Sequence, residues 1–377
     1  MRKRKGVTEM SQRYGRATRR KFIRIALCVL AVALWMPAAQ AQEAGTWGFA
    51  VSGDSRNCGD VVVPGIAANA LRHRPSFFWH LGDFRWISNF DQDMQHQPVH
   101  QAKPMTVREY LDTAWQDFLD NQVASFGSLP VFLTIGNHEL IPPKTRDEFI
   151  AQFGDWLTAP VLRQQRRQDD PRDYRVKTYA YWIERGVDFI NLDNASPDQF
   201  DKAQVAWFER VLASAASNSA VKTVVVGMHI PLPDSIAADH SMSEFPVGVE
   251  SGRRVYADLV KFRQHSGKRV YILASHVHYF MDGIFNTEYW RTHGGVLPGW
   301  IVGTAGAERY ALPPNSKDAR AAETNVYGYL LGTVRADGEI EFTFQRLSES
   351  EIPAAVKSHY NPEFVHWCFA ENTRARP

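Results

Sequence analysis

Five times along this 377-residue chain an apolar, strand-like run ends and an Asp, Asn or His follows within three residues. Trp47–Ser52 leads to Asp54, Ser76–Leu81 to Asp83, Val131–Ile135 to Asn137, Val221–Val226 to His229, and Arg269–Ala274 to His276. Helical patterns separate most of these runs, which argues for an α/β sheet. In such sheets, ligands gather in the crevice at the carboxyl ends of the strands. Five strands ending this way therefore predict one site lined by carboxylate, amide and imidazole groups.

The intervening segments carry local signals. A helix is predicted from Val61 to Leu71, with Pro64 in its first turn, where the missing N–H does no harm. Thr106 with Glu109, and Thr145 with Glu148, form capping-box patterns that open helices running to about Asn121 and Trp156. Residues 88–105 are polar and depart from the sheet, and 161–175, rich in Arg, Gln and Asp, reads as a solvated loop. Lys177–Glu184 and Val187–Asp193 flank Arg185-Gly186 as a hairpin. Further helices are predicted over about Asp198–Ala216 and Arg253–Arg263, and a last hairpin turns at Asp337-Gly338. The Gly303–Gly306 stretch has no helix signal after it, so it reads as a close backbone approach to the site. His80 reads as a packed core residue, and His96 and His100 as exposed loop residues.

The amino terminus stands apart. Arg19-Arg20-Lys21-Phe22-Ile23-Arg24 precedes an apolar run from Ile25 to Met36, followed by Ala39-Gln40-Ala41, a small-x-small cleavage signal. Twelve apolar residues rise about 18 Å as a helix, short of a hydrocarbon core of roughly 30 Å, so no stable membrane anchor is expected once the segment is removed. The paired arginines resemble the twin-arginine export signal, whose machinery carries folded proteins. Residues 1–41 are thus expected to be a cleaved export signal, and the protein to be periplasmic or secreted. They hold ten Lys/Arg and one acidic residue, which leaves 33 basic and 40 acidic residues beyond them. The basic balance of the whole chain belongs to the signal, and no general nucleic-acid surface is expected. Cys58 and Cys368 remain after export; a disulfide between them and two free thiols are both compatible with the sequence.

Asp carboxylate, His imidazole and Asn carbonyl suit Zn, Mn or Fe better than Ca. Asp54, Asp83, Asn137, His229, His276 and His278 are too many ligands for one tetrahedral ion with an open position. They fit two ions roughly 3.5–4 Å apart that share a carboxylate, clamp a phosphoryl group and hold a hydroxide for in-line attack.

Gly53-Asp54, Gly82-Asp83, Gly136-Asn137-His138-Glu139, Met228-His229 and His276-x-His278 stand in an order that resembles the calcineurin-like metallophosphoesterases, and most the purple acid phosphatase branch. The resemblance runs from about Trp47 to Gln345. It implies a four-layer α/β/β/α sandwich over residues 42–350, with 351–377 as a C-terminal tail, and two divalent or mixed-valence ions of Fe, Mn or Zn. Asp54 and His278 would hold the first ion, Asp83 would bridge, and Asn137, His229 and His276 would hold the second. His138 resembles the residue that assists the leaving oxygen. Glu139 beside it reads equally as a residue that orients His138 and as ordinary supporting structure.

Two positions depart from the family's pattern. Where many members carry Asp-x-His, Asp54 is followed by Ser55 and Arg56; where the purple branch carries Tyr, this chain has Trp86, whose indole cannot ligate metal. Asn57, and more weakly Cys58, are candidates to complete the first ion, and Arg56 to grip phosphate. The expected activity is hydrolysis of phosphate esters. A phosphodiesterase acting on nucleotides or lipid headgroups, and a relative that binds a phosphorylated ligand without turnover, are the alternatives.

Overall fold

A computed structural model describes residues 45–172, 174–196 and 198–375. The proposed export signal lies outside the described residues. Among the described residues, twelve strands form two sheets. β1 (Trp47–Ser52), β2 (Phe78–His80) and β3 (Val131–Leu133) run parallel, and β11 (Tyr327–Val334) and β12 (Ile340–Leu347) extend them antiparallel, in the order β12-β11-β1-β2-β3. The second sheet has the order β10-β8-β9-β7-β6-β5-β4. Its parallel centre is β5 (Val187–Asn191), β6 (Thr223–Gly227), β7 (Arg269–Ala274) and β9 (Gly299–Val302), and its antiparallel edges are β4 (Ala180–Glu184), β8 (Phe280–Asp282) and β10 (Ala321–Glu323).

Alternation along the strands explains why the sheets face each other. Trp47, Phe49 and Val51 of β1 join Phe189 of β5, Val225 of β6 and Trp300 of β9 in the core between the sheets. Ala50 of β1 points the other way, onto the helix Gly59–Arg72, while Val224 and Val226 of β6 pack under Lys202–Ser217 and Pro246–Ser266. Two sheets flanked by helices make the expected four-layer α/β/β/α sandwich. Among the described residues, no helix is long and apolar enough to cross a membrane.

Several local expectations change. Pro160–Asp169 is a helix, not a loop: Pro160 opens it, straight-chain Arg and Gln favour it, and Leu162 alone is buried. The helix Gly59–Arg72 starts two residues early, which puts Pro64 beyond its first turn. The segment after Ser88 contains two short helices, Gln92–His96 and Pro98–Ala102, and His96 is half-buried against the Phe364 ring, 4.1 Å away. Both capping residues behave as expected, with Thr106 and Thr145 accepting from the amides of Glu109 and Glu148. Cys58 and Cys368 form a disulfide. Residues beyond 351 form the helices Ala354–Tyr360 and Pro362–Trp367, whose Tyr360, Phe364 and Val365 pack with Cys368 into the core over the first sheet.

One buried carboxylate is unaccounted for. Asp188 of β5 is 1% exposed, and its Oδ1 has no hydrogen-bond donor among the protein groups. Burial, helped by the charge of Asp169, pushes it up to about 8. A carboxyl raised in this way favours folding while it keeps its proton. Its contribution is complete below the unfolded value near 4 and is lost as pH rises toward about 8. Asp188→Asn is therefore expected to stabilise the protein by about 1–3 kcal/mol at pH 8, with the gain fading toward pH 4. Urea titrations at the two pH values check this, and a gain that does not depend on pH would contradict it.

Candidate metal centre

The carboxyl ends of β1, β2, β3, β6 and β7 do converge. Three of the residues there take left-handed backbone: Asp54 (φ 58°), Asp83 (φ 58°) and His276 (φ 66°). Non-glycine residues enter this region at a cost and cluster at functional sites. The neighbouring glycines allow the turns to touch. A Cβ on Gly136 would lie 2.3 Å from Asp83 Oδ1 and 2.5 Å from its amide nitrogen. At Gly82 (φ 94°) it would lie 2.8 Å from the Gly136 nitrogen and from His229 Nδ1.

Asp83, Asn137, His229 and His276 share one point. His229 Nε2 lies 3.1 Å from Asp83 Oδ1, 2.9 Å from Asn137 Oδ1 and 3.2 Å from His276 Nδ1; Asn137 Oδ1 is 3.1 Å from His276 Nδ1. The ligand atoms of Asp83, His229 and His276 all lie within 4.8 Å of one another. His229 Nδ1 donates to the Leu81 carbonyl at 2.7 Å, which aims Nε2 inward, a common support for a metal-bound imidazole. Burial opposes a charge on His229, but Asp83 and the Leu81 carbonyl outweigh it and hold the ring up to about 9. The same field attracts a divalent ion, which would take the proton's place.

Asp54 and His278 lie on the other side. Asp54 Oδ2 accepts from the His276 amide at 2.7 Å and from the Ser275 hydroxyl, while Oδ1 is 3.3 Å from His278 Nε2. Burial and the nearby Arg56 charge push His278 down to about 3. Arg56 is itself buried, with Nη2 2.9 Å from His278 Nε2 and Nη1 3.0 Å from His138 Nε2. His138 Nδ1 donates to the Trp86 carbonyl, and its amide donates to Asp83 Oδ1 at 3.1 Å.

The remaining candidates serve other partners. Asn57 accepts from the Glu308 amide (3.2 Å) and donates to Gln92 (2.8 Å), so its side chain is taken up by the surrounding loops. Cys58, bonded to Cys368, is excluded as a ligand. Glu139 does not orient His138; its carboxylate accepts from the amides of Asp83 (3.0 Å), Phe84 (2.9 Å) and Gly136 (2.8 Å), clamping two strand ends together. His80 is buried as expected and bonds Ser55 Oγ at 2.9 Å.

Sequence reasoning missed Ser275 and Tyr310. Ser275 directly precedes His276, and its contact with Asp54 follows from the turn. Tyr310 stacks on His278 at 4.1 Å and accepts from Arg56 Nη2 at 3.4 Å, and nothing local to it in the sequence signals this. The Gly303–Gly306 stretch does approach closely, since a Cβ on Gly303 would lie 2.7 Å from Asp54 Oδ2. An open cavity of about 590 Å³ adjoins the cluster, bounded by Asn137, His276, Asp198, Asp239, His240 and Glu244.

The calcineurin-like phosphoesterase family model matches residues 62–280, more than half of the chain. The fold is similar to that of a purple acid phosphatase from yellow lupin (Lupinus luteus) seeds, at 15% identity and a TM-score of 0.54, covering 80% of this chain and 51% of that one. This chain thus spans about half the length of the lupin protein. The structure of PhoD is similar at 14% identity and a TM-score of 0.49, covering 90% and 79% of the two chains. GAP50, the anchor in the inner membrane complex of Plasmodium, is similar at 10% identity and a TM-score of 0.45, covering 87% and 96%. No curated protein matches the chain in sequence.

Proposed function

This chain belongs to the calcineurin-like phosphoesterase family, and from that premise we propose that it is a metal-dependent phosphoesterase that hydrolyses phosphate esters at the strand-end cluster, outside the cytoplasm. One observation carries the assignment of the site: Asp83 Oδ1, Asn137 Oδ1 and His276 Nδ1 all lie within 3.2 Å of His229 Nε2. Four acceptor atoms repel one another unless protons or a cation stand between them, and mixed O and N donors suit Zn, Mn or Fe. These four residues would hold the ion. When bound, it supplies Lewis-acid polarisation of a phosphoryl oxygen and an activated water.

The protein's own groups do the remaining work. The Leu81 carbonyl fixes the ring of His229, and the Glu139 carboxylate holds the backbone of Asp83 and Gly136 in register. His138 has Nδ1 committed to Trp86 and, at rest, Nε2 accepting from Arg56, so only as the imidazolium would its Nε2 hand a proton to the leaving oxygen, an effect of about 10²–10⁴-fold. Arg56 would steady phosphoryl charge beside it. The motifs also imply a first ion on Asp54 and His278 with Asp83 shared. That ion would need His278 Nε2, which lies 2.9 Å from Arg56 Nη2. Export by the twin-arginine machinery and a periplasmic or secreted location are part of the proposal, supported by the Cys58–Cys368 bond, which an oxidising compartment maintains.

The test is hydrolysis of p-nitrophenyl phosphate and bis(p-nitrophenyl) phosphate by the same preparation. Chelator-treated protein should be inert, and Fe, Mn or Zn should restore cleavage of at least one ester. No turnover of either ester with any of the three ions would overturn the reading and favour a binding protein.

A further inference from the structure

The half of the site expected to hold a first ion does not fit one. Its imidazole donor, His278 Nε2, lies 2.9 Å from Arg56 Nη2. A guanidinium carries donors only, so the lone pair of that nitrogen is already in use. The other fork of Arg56 reaches His138 Nε2 at 3.0 Å, and there the geometry gives an independent check. Because His138 Nδ1 faces the Trp86 carbonyl, its proton sits on Nδ1 and Nε2 must accept. Arg56 is thus oriented at both ends by acceptors, with the Tyr310 hydroxyl as a third partner at 3.4 Å.

None of the substitutes expected from the sequence can serve as a ligand. Trp86 offers a ring, not an oxygen, and the Arg56 guanidinium carbon lies 5.7 Å from its centroid, within cation–π range. The Asn57 amide is engaged by Gln92 and Glu308, and Cys58 is in a disulfide. An ion here would have Asp54 Oδ1 and at most a shared oxygen of Asp83, and would have to expel a buried guanidinium held by three partners. The family match covers residues 62–280, so it includes His278 and Asp83 but neither Asp54 nor Arg56.

We propose that the Arg56 guanidinium takes the place of the family's first ion, as a built-in cation, and that the chain binds a single ion through Asp83, Asn137, His229 and His276. Asp83 is then a terminal ligand and not a bridge, and Asp54 becomes a positioning residue that pins the His276 amide and Ser275. A phosphoryl group entering from this side meets N–H donors that no chelator can remove. The inference rests on the proposed metal centre only for the ion that remains.

Metal content tests it separately from activity. The full mature chain, loaded with excess Mn(II) and desalted, should retain about one Mn per chain and show the electron paramagnetic resonance spectrum of isolated Mn(II). Two Mn per chain with an exchange-coupled spectrum would overturn the proposal, whatever the hydrolysis rate. Arg56→His removes the guanidinium and restores the missing imidazole, so the ratio should rise to about two and coupling should appear. A variant that is folded by circular dichroism yet stays at one would also sink it. If the variant does not fold, the wild-type measurement decides alone. A one-ion protein that cleaves no ester would keep this inference and remove the catalytic reading.

Discussion

His229→Ala is expected to lower hydrolysis of a phosphate ester by about 10³-fold or more, roughly 4 kcal/mol of transition-state stabilisation, and to leave little metal bound after desalting. The expectation comes from the central position of the residue. Nε2 of His229 lies within 3.2 Å of donor atoms on Asp83, Asn137 and His276, so its loss opens the middle of the cluster. Its Nδ1 also satisfies the Leu81 carbonyl, which would be left buried and unpaired at about 1–3 kcal/mol. The variant should therefore be less stable as well as inactive, and the two effects must be separated. Elemental analysis and a urea titration on the same sample do so. A folded variant that keeps near wild-type metal content and turnover would remove His229 from the centre.

The strand ends were legible because burial on both faces gives apolar runs, and the polar residue that stops each run announces itself. Asp54, Asp83, Asn137, His229 and His276 all follow that rule. What a polar residue does after the stop depends on its partners, and those come from distant segments. Glu139 reads as a neighbour that orients His138, yet its carboxylate is taken by three backbone amides, two of them 55 and 56 residues away. Asn57 reads as a ligand candidate from its position beside Arg56, yet residues 92 and 308 take its amide. Arg56 was visible as a departure from a metal-binding pattern, but not its aim, which is set by His138, His278 and Tyr310. The helix Pro160–Asp169 was hidden for a different reason: with Leu162 as its only buried residue, it has no apolar stripe to read.

Removing the Cys58–Cys368 bond, in a Cys58→Ala/Cys368→Ala variant, is expected to lower stability by about 2–5 kcal/mol. The linkage spans 310 residues of sequence, so the unfolded chain it constrains is long, which places the effect toward the upper part of that range. Both ends are fully buried in the core over the first sheet, so the alanines add a small packing loss. The bond is not the only tie. Tyr360 donates to Asp60 at 2.8 Å, and Asn372 donates to the Gly306 carbonyl at 2.8 Å, so the C-terminal segment should stay docked while the protein is folded. Loss of the bond is therefore expected to act mainly on the unfolded state, leaving metal content unchanged while the urea midpoint falls. Cys58 lies two residues from Arg56 and its amide donates to the Gly306 carbonyl at 3.3 Å, so a drop in metal content at neutral stability would instead assign the bond to holding the site in shape. An unchanged midpoint, measured with and without reductant, would show that the linkage does not stabilise the fold.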